Sequence, residues 1–304
     1  MNRKMKTAAV ICLIIGLAAG TAEILGSKIS DEPEEEDPPE QAALITKAAF
    51  SRETQTADTV HLAEGAEGAL LLDAGEGIIL FEKNPDKKLY PASTTKIMTA
   101  LVALEILDEI GAGLDSVVTI PAEAAGIEGS SVYLKAGERV TMEELLYGMM
   151  LQSGNDAAAA VAICCGGNME AFVERMNMKA VKLGCESTHF VNPSGLPDEN
   201  HYTTAKDLAV IGAAAMERED FRKIVKAERW QSKETGRSFV NKNKTVFQYD
   251  GGNGIKIGYT AAAGRTLVAS AEREGKRLIA VVLNDHDWFD DAYEMLDFGF
   301  EMTG

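Results

Sequence analysis

The chain has 304 residues, of which 46% are hydrophobic and 25% charged, and its formal net charge is −17 at pH 7. A chain of this size and composition buries a large core, in one large domain or two small ones, which excludes disorder throughout. The negative charge argues against binding to nucleic acid, which requires clustered Lys and Arg, and against a polyanionic substrate.

The first residues have the three-part pattern of a secretory signal. Three basic residues within the first six precede an apolar stretch at 8–19, and small residues at 20–22 follow it. Extended to Leu25, the apolar run approaches the length of an uncut anchor, so residues 1–25 are predicted to be a signal peptide or an N-terminal membrane anchor. We therefore expect an exported protein of the cell envelope or a secreted one, attached to the membrane if this segment is retained.

An acidic, Pro-rich linker is predicted over residues 26–57. Its stretch at 31–40 reads DEPEEEDPPE and has too little apolar content to offset the entropy of ordering. A solvated spacer is the simplest interpretation, and an acidic tail that binds a partner is the other. The folded domain is accordingly expected over residues 58–304.

The first folded elements are predicted to be strands. Short apolar runs at 68–73 and 77–82 are separated by a Gly-containing turn, which is typical of a hairpin. An apolar repeat at near-helical spacing begins after Pro91 and places the start of a buried helix near Ser93.

The middle of the chain is predicted to be helical. Thr141 and Glu144 form a capping-box pattern ahead of an apolar run. Three further helices are expected, over residues 156–165, from Asn168 to Gly184 and from Thr203 toward Glu217.

The C-terminal part returns to strands at 266–271 and 278–283, joined by a polar turn. A final amphipathic helix presents one apolar stripe, which consists of Phe289, Ala292, Tyr293, Leu296 and Phe300. Strands at both ends with helices inserted between them predict an α+β domain whose sheet is completed by distant segments.

Cysteine and histidine usage predicts neither a disulfide framework nor a metal site. Cys164, Cys165 and Cys185 are expected to be small buried apolar residues, because the adjacent pair cannot easily bridge. The four histidines are scattered without the spacing of zinc ligands, so no metal and no cofactor are expected.

The first chemical motif is Ser93-Thr94-Thr95-Lys96. At a helix start it places the Ser93 hydroxyl and the Lys96 amine on one face, one turn apart. A serine needs a base to become nucleophilic, and a desolvated lysine with a lowered pKa can serve as one. Taken alone, the motif favours an ordinary helix start over a catalytic pair, because Ser-x-x-Lys recurs by chance.

The second motif, Ser153-Gly154-Asn155, lies in a tight corner between two predicted helices. Such a corner can hold Ser153 as a proton relay and Asn155 as a ligand for a substrate amide at the rim of a cleft. Helix capping by Asn155 or Asp156 is the alternative interpretation.

The third motif is Lys256-Ile257-Gly258 inside an apolar stretch that is predicted to be a strand. Gly258 would let a substrate backbone approach closely. By itself Lys-x-Gly is almost uninformative, but the order of the three motifs along the chain is specific.

Five segments carry a resemblance to a known family. The chain between about residues 58 and 300 closely resembles the low-molecular-mass penicillin-binding proteins that are serine D-Ala-D-Ala carboxypeptidases. The resemblance rests on PASTTKIMTA at 91–100, GIEGSSVYLKAGE at 126–138, LLYGMMLQSGNDAAAAVA at 145–162, FVNPSGLPDENHYTTAKDLA at 190–209 and NKNKTVFQYDGGNGIKIGYT at 241–260.

The resemblance implies a β-lactamase/transpeptidase-like fold, a mainly antiparallel sheet flanked by helices with an inserted helical subdomain. It implies that Ser93 attacks the bond between two terminal D-alanines of a peptidoglycan stem peptide, with Lys96 as base. β-Lactams are then expected to be covalent inhibitors. The remaining roles are proton relay at Ser153, substrate binding at Asn155, Lys256, Ile257 and Gly258, and an oxyanion hole made by the backbone N–H groups of Ser93 and Tyr259.

Two departures from the family pattern qualify these expectations. Ile257 stands where the family usually has Thr, which is expected to slow the enzyme. Many relatives continue into a β-rich domain and an amphipathic membrane helix, and we expect both to be absent here because the chain stops at Gly304.

Two other functions are weighed. A β-lactamase would need a fast deacylation base, for which no Glu-x-x-Leu-Asn segment is found. A non-catalytic or weakly active wall-binding protein is the alternative from a different class.

Overall fold

The computed structural model describes residues 61–303. The predicted signal or anchor at 1–25 and the linker at 26–57 lie outside the described residues and stay predictions. The strands of the described part are β1 Gly68–Asp73, β2 Ile78–Lys83, β3 Val117–Thr119, β4 Arg139–Thr141, β5 Arg229–Gln231, β6 Ser238–Val240, β7 Gly252–Thr260, β8 Gly264–Arg273 and β9 Lys276–Leu283. Its α-helices are α1 Lys96–Glu109, α2 Met142–Leu151, α3 Asn155–Gly166, α4 Met169–Lys182, α5 Ala205–Met216, α6 Glu219–Lys226, α7 Thr245–Gln248 and α8 Trp288–Thr303.

The main sheet has the order β2-β1-β9-β8-β7, and each neighbouring pair is antiparallel. Strands from the two ends of the described chain therefore meet in its centre, where Leu70 lies opposite Val281. This confirms the predicted α+β class and the completion of the sheet by distant segments. β7 is an edge strand, so the Lys256-Ile257-Gly258 motif lies at the open side of the sheet.

Two apolar clusters cover the two faces of this sheet. The larger one joins alternate side chains of β1, β8 and β9 to the helices inserted between β2 and β7. The smaller one packs α8 on the other face, with Phe289, Ala292 and Leu296 of the predicted stripe buried and Tyr293 and Phe300 partly buried. Complete burial of a Leu or Phe side chain contributes roughly 1.5–3 kcal/mol, so this stripe holds α8 on the sheet.

The predicted capping box forms only in part. Thr141 Oγ1 accepts the Glu144 N–H at 3.1 Å and caps α2, as predicted. The Glu144 carboxylate does not return the bond to Thr141, since it accepts hydrogen bonds from Thr235 and Arg237 instead. A buried ion pair with a distant segment thus replaces the local contact that the sequence pattern predicts.

Other helix limits differ from prediction by one or two residues. Asn168 caps α4 by accepting the Ala171 N–H at 2.7 Å, as predicted, and α4 ends at Lys182. The start predicted at Thr203 was wrong, because Thr204 caps α5. The Thr203 backbone pairs instead with Leu89 in an isolated bridge.

The prediction that the three cysteines are buried is confirmed for one of them. Cys185 is buried, whereas Cys164 and Cys165 at the end of α3 are only partly buried, and all three are free thiols. Burial raises the pKa of Cys164 to about 11 and that of Cys165 to about 12, so these thiols are poor nucleophiles at neutral pH.

Within residues 61–303 no single helix has the length and hydropathy needed to cross a membrane. The pair α3 and α4, bent by 87°, meets that criterion only when its two helices are taken together. The described residues also contain no group of three or more His, Cys, Asp or Glu side chains arranged to hold a metal ion.

Candidate active site

Ser93 lies in a 3₁₀ turn, Ala92–Thr95, that leads directly into α1. Ala92 has a φ of 48°, a left-handed conformation that costs an alanine roughly 1–2 kcal/mol. Gly195 holds this turn in place, since a Cβ there would lie 1.8 Å from the Ala92 carbonyl oxygen. The candidate nucleophile, Ser93, is therefore fixed by a tertiary contact as well as by the start of the helix predicted there.

Lys96 is completely buried, and its amine has three polar neighbours. Its Nζ lies 3.0 Å from Ser93 Oγ, 2.8 Å from Asn155 Oδ1 and 2.6 Å from the Ser194 carbonyl oxygen. Burial, followed by the charge of Lys256, lowers the pKa of Lys96 well below its ordinary value of 10.5. A neutral amine donates two hydrogens, to Asn155 and Ser194, and keeps its lone pair for the Ser93 hydroxyl.

The Ser153-Gly154-Asn155 corner joins α2 and α3, as predicted. Ser153 is buried and has a φ of 63°, so the corner is held in a conformation that favours glycine. Asn155 uses its Oδ1 for Lys96 and donates from Nδ2 to the Glu128 carbonyl at 2.7 Å. The structure thus gives Asn155 a role in positioning the base, while the relay at Ser153 and the substrate contact at Asn155 stay predictions.

Asp156 follows this corner and is an element that the sequence motifs missed. Its buried carboxylate accepts hydrogen bonds from Ser131 Oγ and from the backbone N–H groups of Val132 and Leu134, all within 3.1 Å. Asp156 therefore ties the segment at 126–138 to the start of α3. The sequence offered only a helix-cap interpretation for this residue.

Lys256 is almost fully buried, and its Nζ donates to the Ile257 carbonyl at 3.0 Å. Burial, followed by the charge of Lys242, lowers the pKa of Lys256 from 10.5 to about 7. The charge on Lys256 also lowers the pKa of Lys96, so the two motifs are electrostatically coupled across the cleft.

Gly258 packs directly against the turn that contains Ser93. A Cβ at Gly258 would lie 2.8 Å from the Ser93 nitrogen and 2.4 Å from Thr266 Oγ1, so only glycine lets β7 approach this closely. The contact brings the start of α1 against the strand that carries the Tyr259 N–H, which is the arrangement that the predicted oxyanion hole needs. Sequence reasoning had assigned this space to the substrate backbone.

Ile257 and Tyr259 lie on the other face of β7 from Lys256 and Gly258. Ile257 packs against the smaller apolar cluster beneath α8, and the Tyr259 side chain is 67% exposed. This follows from the alternation of side chains along a strand. The backbone of the motif therefore faces the nucleophile, while these two side chains lie on the outer face.

A loop at 192–195 completes the site. It belongs to the segment at 190–209 that resembles the family, but the sequence motifs assign it no role. The Asn192 side chain accepts the N–H groups of Ser194 and Gly195 at 3.1 and 2.8 Å, which fixes the Ser194 carbonyl beside Lys96. Asn-Pro-Ser-Gly is a recognisable turn sequence, but nothing in it indicates contact with a segment so far away along the chain.

His201 is the second element that was missed. Its Nδ1 accepts the Val191 N–H at 3.2 Å, so Nε2 carries the hydrogen and donates to Thr95 Oγ1 at 2.9 Å. His201 is buried, and burial is the main reason why its pKa falls from 6.5 to about 4. A neutral histidine therefore supports the turn that contains Ser93.

This histidine makes stability dependent on pH. Because the folded-state pKa lies below the unfolded value, the contribution of neutral His201 is complete above pH 6.5 and is lost as the pH falls toward 4. We expect the free energy of unfolding, measured in urea, to lose about 2 kcal/mol from this group between pH 7.5 and pH 5. His201→Gln should remove that loss and exposed His61→Gln should retain it; equal pH dependence in both variants would contradict the assignment.

The geometry fits one class of protein: a hydrolase or acyl transferase in which a serine attacks and a buried lysine can act as its base. The model of the family described as D-alanyl-D-alanine carboxypeptidase matches residues 53–287, and the chain belongs to this family.

Individual relatives support the assignment. The chain is 38% identical over 248 residues to the D-alanyl-D-alanine carboxypeptidase DacF of Bacillus subtilis, covering 80% of this chain and 64% of that relative. It is 34% identical to DacC of Escherichia coli, covering 95% and 69% of the two chains. The crystal structure of a DD-transpeptidase from Streptomyces superposes with a TM-score of 0.74 at 33% identity and covers 80% of this chain and 98% of the other. The penicillin-binding fold predicted from the sequence is thereby confirmed.

Proposed function

We propose that this protein is a serine D-Ala-D-Ala carboxypeptidase that removes the terminal D-alanine from peptidoglycan stem peptides. The observation that carries the proposal is the buried Lys96 amine, whose Nζ lies 3.0 Å from Ser93 Oγ and whose pKa is lowered. Such an amine can take the hydroxyl proton as the oxygen attacks. The family and the relatives named above act on the same bond by their printed names.

The reaction divides into two acyl transfers. Ser93 Oγ bonds to the penultimate D-alanine carbonyl carbon while its proton passes to Lys96, and the N–H groups of Ser93 and Tyr259 stabilise the oxyanion. The proton then reaches the leaving nitrogen, with Ser153 as relay, and the C–N bond breaks to release D-alanine. Water hydrolyses the ester as Lys96 again accepts a proton, which returns to Ser93 Oγ.

Time-resolved mass spectrometry with penicillin tests this proposal. A long-lived adduct on wild-type protein, absent from Ser93→Ala, is the expected result. Quick release of hydrolysed drug would identify a β-lactamase, and no adduct would identify a non-catalytic wall-binding protein. The family match favours neither of these alternatives.

Transpeptidation is a second candidate, supported by the structural similarity to the Streptomyces DD-transpeptidase. In that reaction an amine takes the acyl group from Ser93 in place of water. Adding an amine acceptor such as glycine to the D-Ala-D-Ala peptide distinguishes the two, because transpeptidation yields a new amide product and hydrolysis yields the shortened acid.

Export is part of the proposal and rests on the charged, apolar and small residues of the first 25 positions. N-terminal sequencing of the native protein tests it. A start near Glu23 indicates a released or loosely associated enzyme, and a start at Met1 or Asn2 indicates an anchored one.

Ile257→Thr is expected to raise kcat/KM for a D-Ala-D-Ala peptide at least about tenfold, the low end of the value of a hydrogen bond to a charged group. Thr keeps the β-branched shape of Ile and adds a hydroxyl that can donate to the substrate carboxylate. Ile257→Val, which adds no donor, is the control. Equal kcat/KM in wild type and Ile257→Thr would show that the carboxylate is bound without this position.

A further inference from the structure

Two carboxyl groups meet where β9 leads into α8. Asp285 follows β9 and is 2% exposed, and Asp291 is a partly buried residue in the first turn of α8. Both carboxyls border Gly65, since a Cβ at Gly65 would lie 2.9 Å from Asp285 Oδ1 and 3.7 Å from Asp291 Oδ2. The reaction proposed above gives neither residue a role.

One oxygen of each carboxyl is buried without a hydrogen-bond partner. Asp285 Oδ1 accepts the Asp287 N–H at 3.0 Å, whereas Asp285 Oδ2 and Asp291 Oδ2 have no partner. Over residues 61–303 no Lys, Arg or His side chain forms an ion pair with either carboxyl. Two ionised carboxylates are therefore unfavourable here, because buried charges need a counter-charge and buried acceptors need a donor.

A single proton removes both deficits. An ionised carboxylate only accepts hydrogen bonds, whereas a protonated carboxyl group also donates one. When one of the two aspartates carries a proton, its O–H can donate to the other, and the pair keeps one negative charge in place of two. Burial is the main reason why the pKa of Asp285 rises from 3.8 to about 6, and Asp291 raises it further through its charge and through the hydrogen bond between the two carboxyls.

We propose that Asp285 and Asp291 share one proton and act as a pH-sensitive clasp on the segment at 61–67 that leads into β1. This clasp, the pair of carboxyls, joins that segment at Gly65 to the end of β9 and the first turn of α8. The Asp285 N–H also donates to the Arg265 carbonyl at 3.0 Å, so the clasp is attached to β8. Loss of the proton leaves two like charges close together in a buried place, and their repulsion favours separation of the three segments.

The other charged groups around the clasp do not neutralise it. In the described part of the chain they are His61, Glu64, Glu67, Lys83, Lys244, Arg265, His286, Asp287 and Asp290. The cations among them are directed elsewhere. Lys83 donates to the Ala63 and Glu64 carbonyls, Arg265 donates to the His286 carbonyl, and Lys244 lies over the Phe289 ring. The charge of Asp287 adds to the rise in the pKa of Asp285.

The clasp and His201 affect stability in opposite directions. Because the folded-state pKa of Asp285 lies above the unfolded value, the contribution of the clasp is complete below pH 3.8 and is lost as the pH rises through about 6. The contribution of His201 is lost as the pH falls from 6.5 toward 4. Comparison of variants at one pH isolates the clasp, since all of them keep His201.

Asp291→Asn tests the clasp, because its amide can donate to Asp285 at any pH and takes the place of the shared proton. We expect this variant to melt about 2–6 °C above wild type at pH 8 and within about 1 °C of it at pH 4.5. Asp290→Asn is the matched control. It removes the same charge from the first turn of α8, but from an exposed side chain, and should not raise the melting temperature at pH 8.

Hydrogen exchange measured by mass spectrometry reports the clasp directly. Amides at 61–67 of wild type, corrected for the intrinsic effect of pH on exchange, should exchange at least about threefold faster at pH 8 than at pH 5. Asp291→Asn should remove that difference and Asp290→Asn should keep it. A wild-type protein with equal corrected exchange at both pH values would overturn the proposal. An Asp291→Asn variant that melts at or below the wild-type temperature at pH 8 would overturn it as well.

Discussion

Lys96→Ala is expected to lower the rate constant for acylation of Ser93 by penicillin by about 10²- to 10⁴-fold, the range for removal of a general base. The lone pair of the neutral amine faces the Ser93 hydroxyl because its two hydrogens are donated to Asn155 and Ser194. The neutral His201 cannot replace it, since both of its ring nitrogens are engaged by Thr95 and Val191.

The measurement is stopped-flow or gel-based labelling with a fluorescent penicillin. Ser93→Ala gives the background of non-specific labelling. Lys179→Ala controls for loss of a lysine outside the site, because its amine pairs with Glu105 on the neighbouring helix. An acylation rate for Lys96→Ala within a fewfold of wild type would show that another group takes the serine proton.

The pH dependence of the acylation rate of the wild-type protein is a second test of Lys96 as the base. Only the neutral amine accepts the proton, so acylation should rise as the pH increases through the lowered pKa of Lys96. Lys256→Gln removes a charge that lowers this pKa and should move the rising limb to higher pH. A profile that rises only near pH 10.5 would contradict a desolvated base.

Local features of the chain were predictable from the sequence because their causes are local. The bounds of β1, Gly68–Asp73, agree with the prediction since an apolar run ends at a Gly-containing turn. Asn168 caps α4 through a backbone N–H three residues away. Ser93 and Lys96 are likewise brought together by a single turn of chain.

Contacts between distant segments were not predictable by the same reasoning. Glu144 fits a capping box in sequence, yet Arg237 competes for its carboxylate in the folded protein. Ser194 and His201 reach the nucleophile turn only because the loop that carries them packs against Ala92 and Thr95. A sequence pattern within one segment cannot show a partner that lies far away along the chain. The contacts that hold Ser93 and Lys96 in position are of this kind.

The same distinction explains the pairing of Tyr259 with Arg265. Strand propensity predicts β7 and β8, but the register of the pair decides which charged residue lies beside Tyr259. A shift of one residue would turn Arg265 to the opposite face. The chemistry of the outer face of β7 is therefore a property of the folded sheet.

Asp156→Ala is expected to lower the free energy of unfolding by about 3–5 kcal/mol, because each buried donor left without a partner costs roughly 1–3 kcal/mol. The variant removes the acceptor for Ser131 Oγ and for the Val132 and Leu134 N–H groups. It also loosens the segment whose Ser130 carbonyl accepts the Asn155 N–H at 2.7 Å. Since Asn155 Oδ1 holds Lys96, acylation of the folded protein should fall as well.

Asp207→Ala is the matched control for this last effect. Asp207 is also a buried carboxylate, and it accepts hydrogen bonds from the Ser187 N–H and Thr188 Oγ1 without touching the nucleophile, the base or their partners. Urea unfolding should show a loss of stability in both variants, while labelling at a temperature where both are folded should slow only in Asp156→Ala. Equal labelling rates in the two variants would mean that the hydrogen bonds to Asp156 stabilise the fold but do not position Lys96.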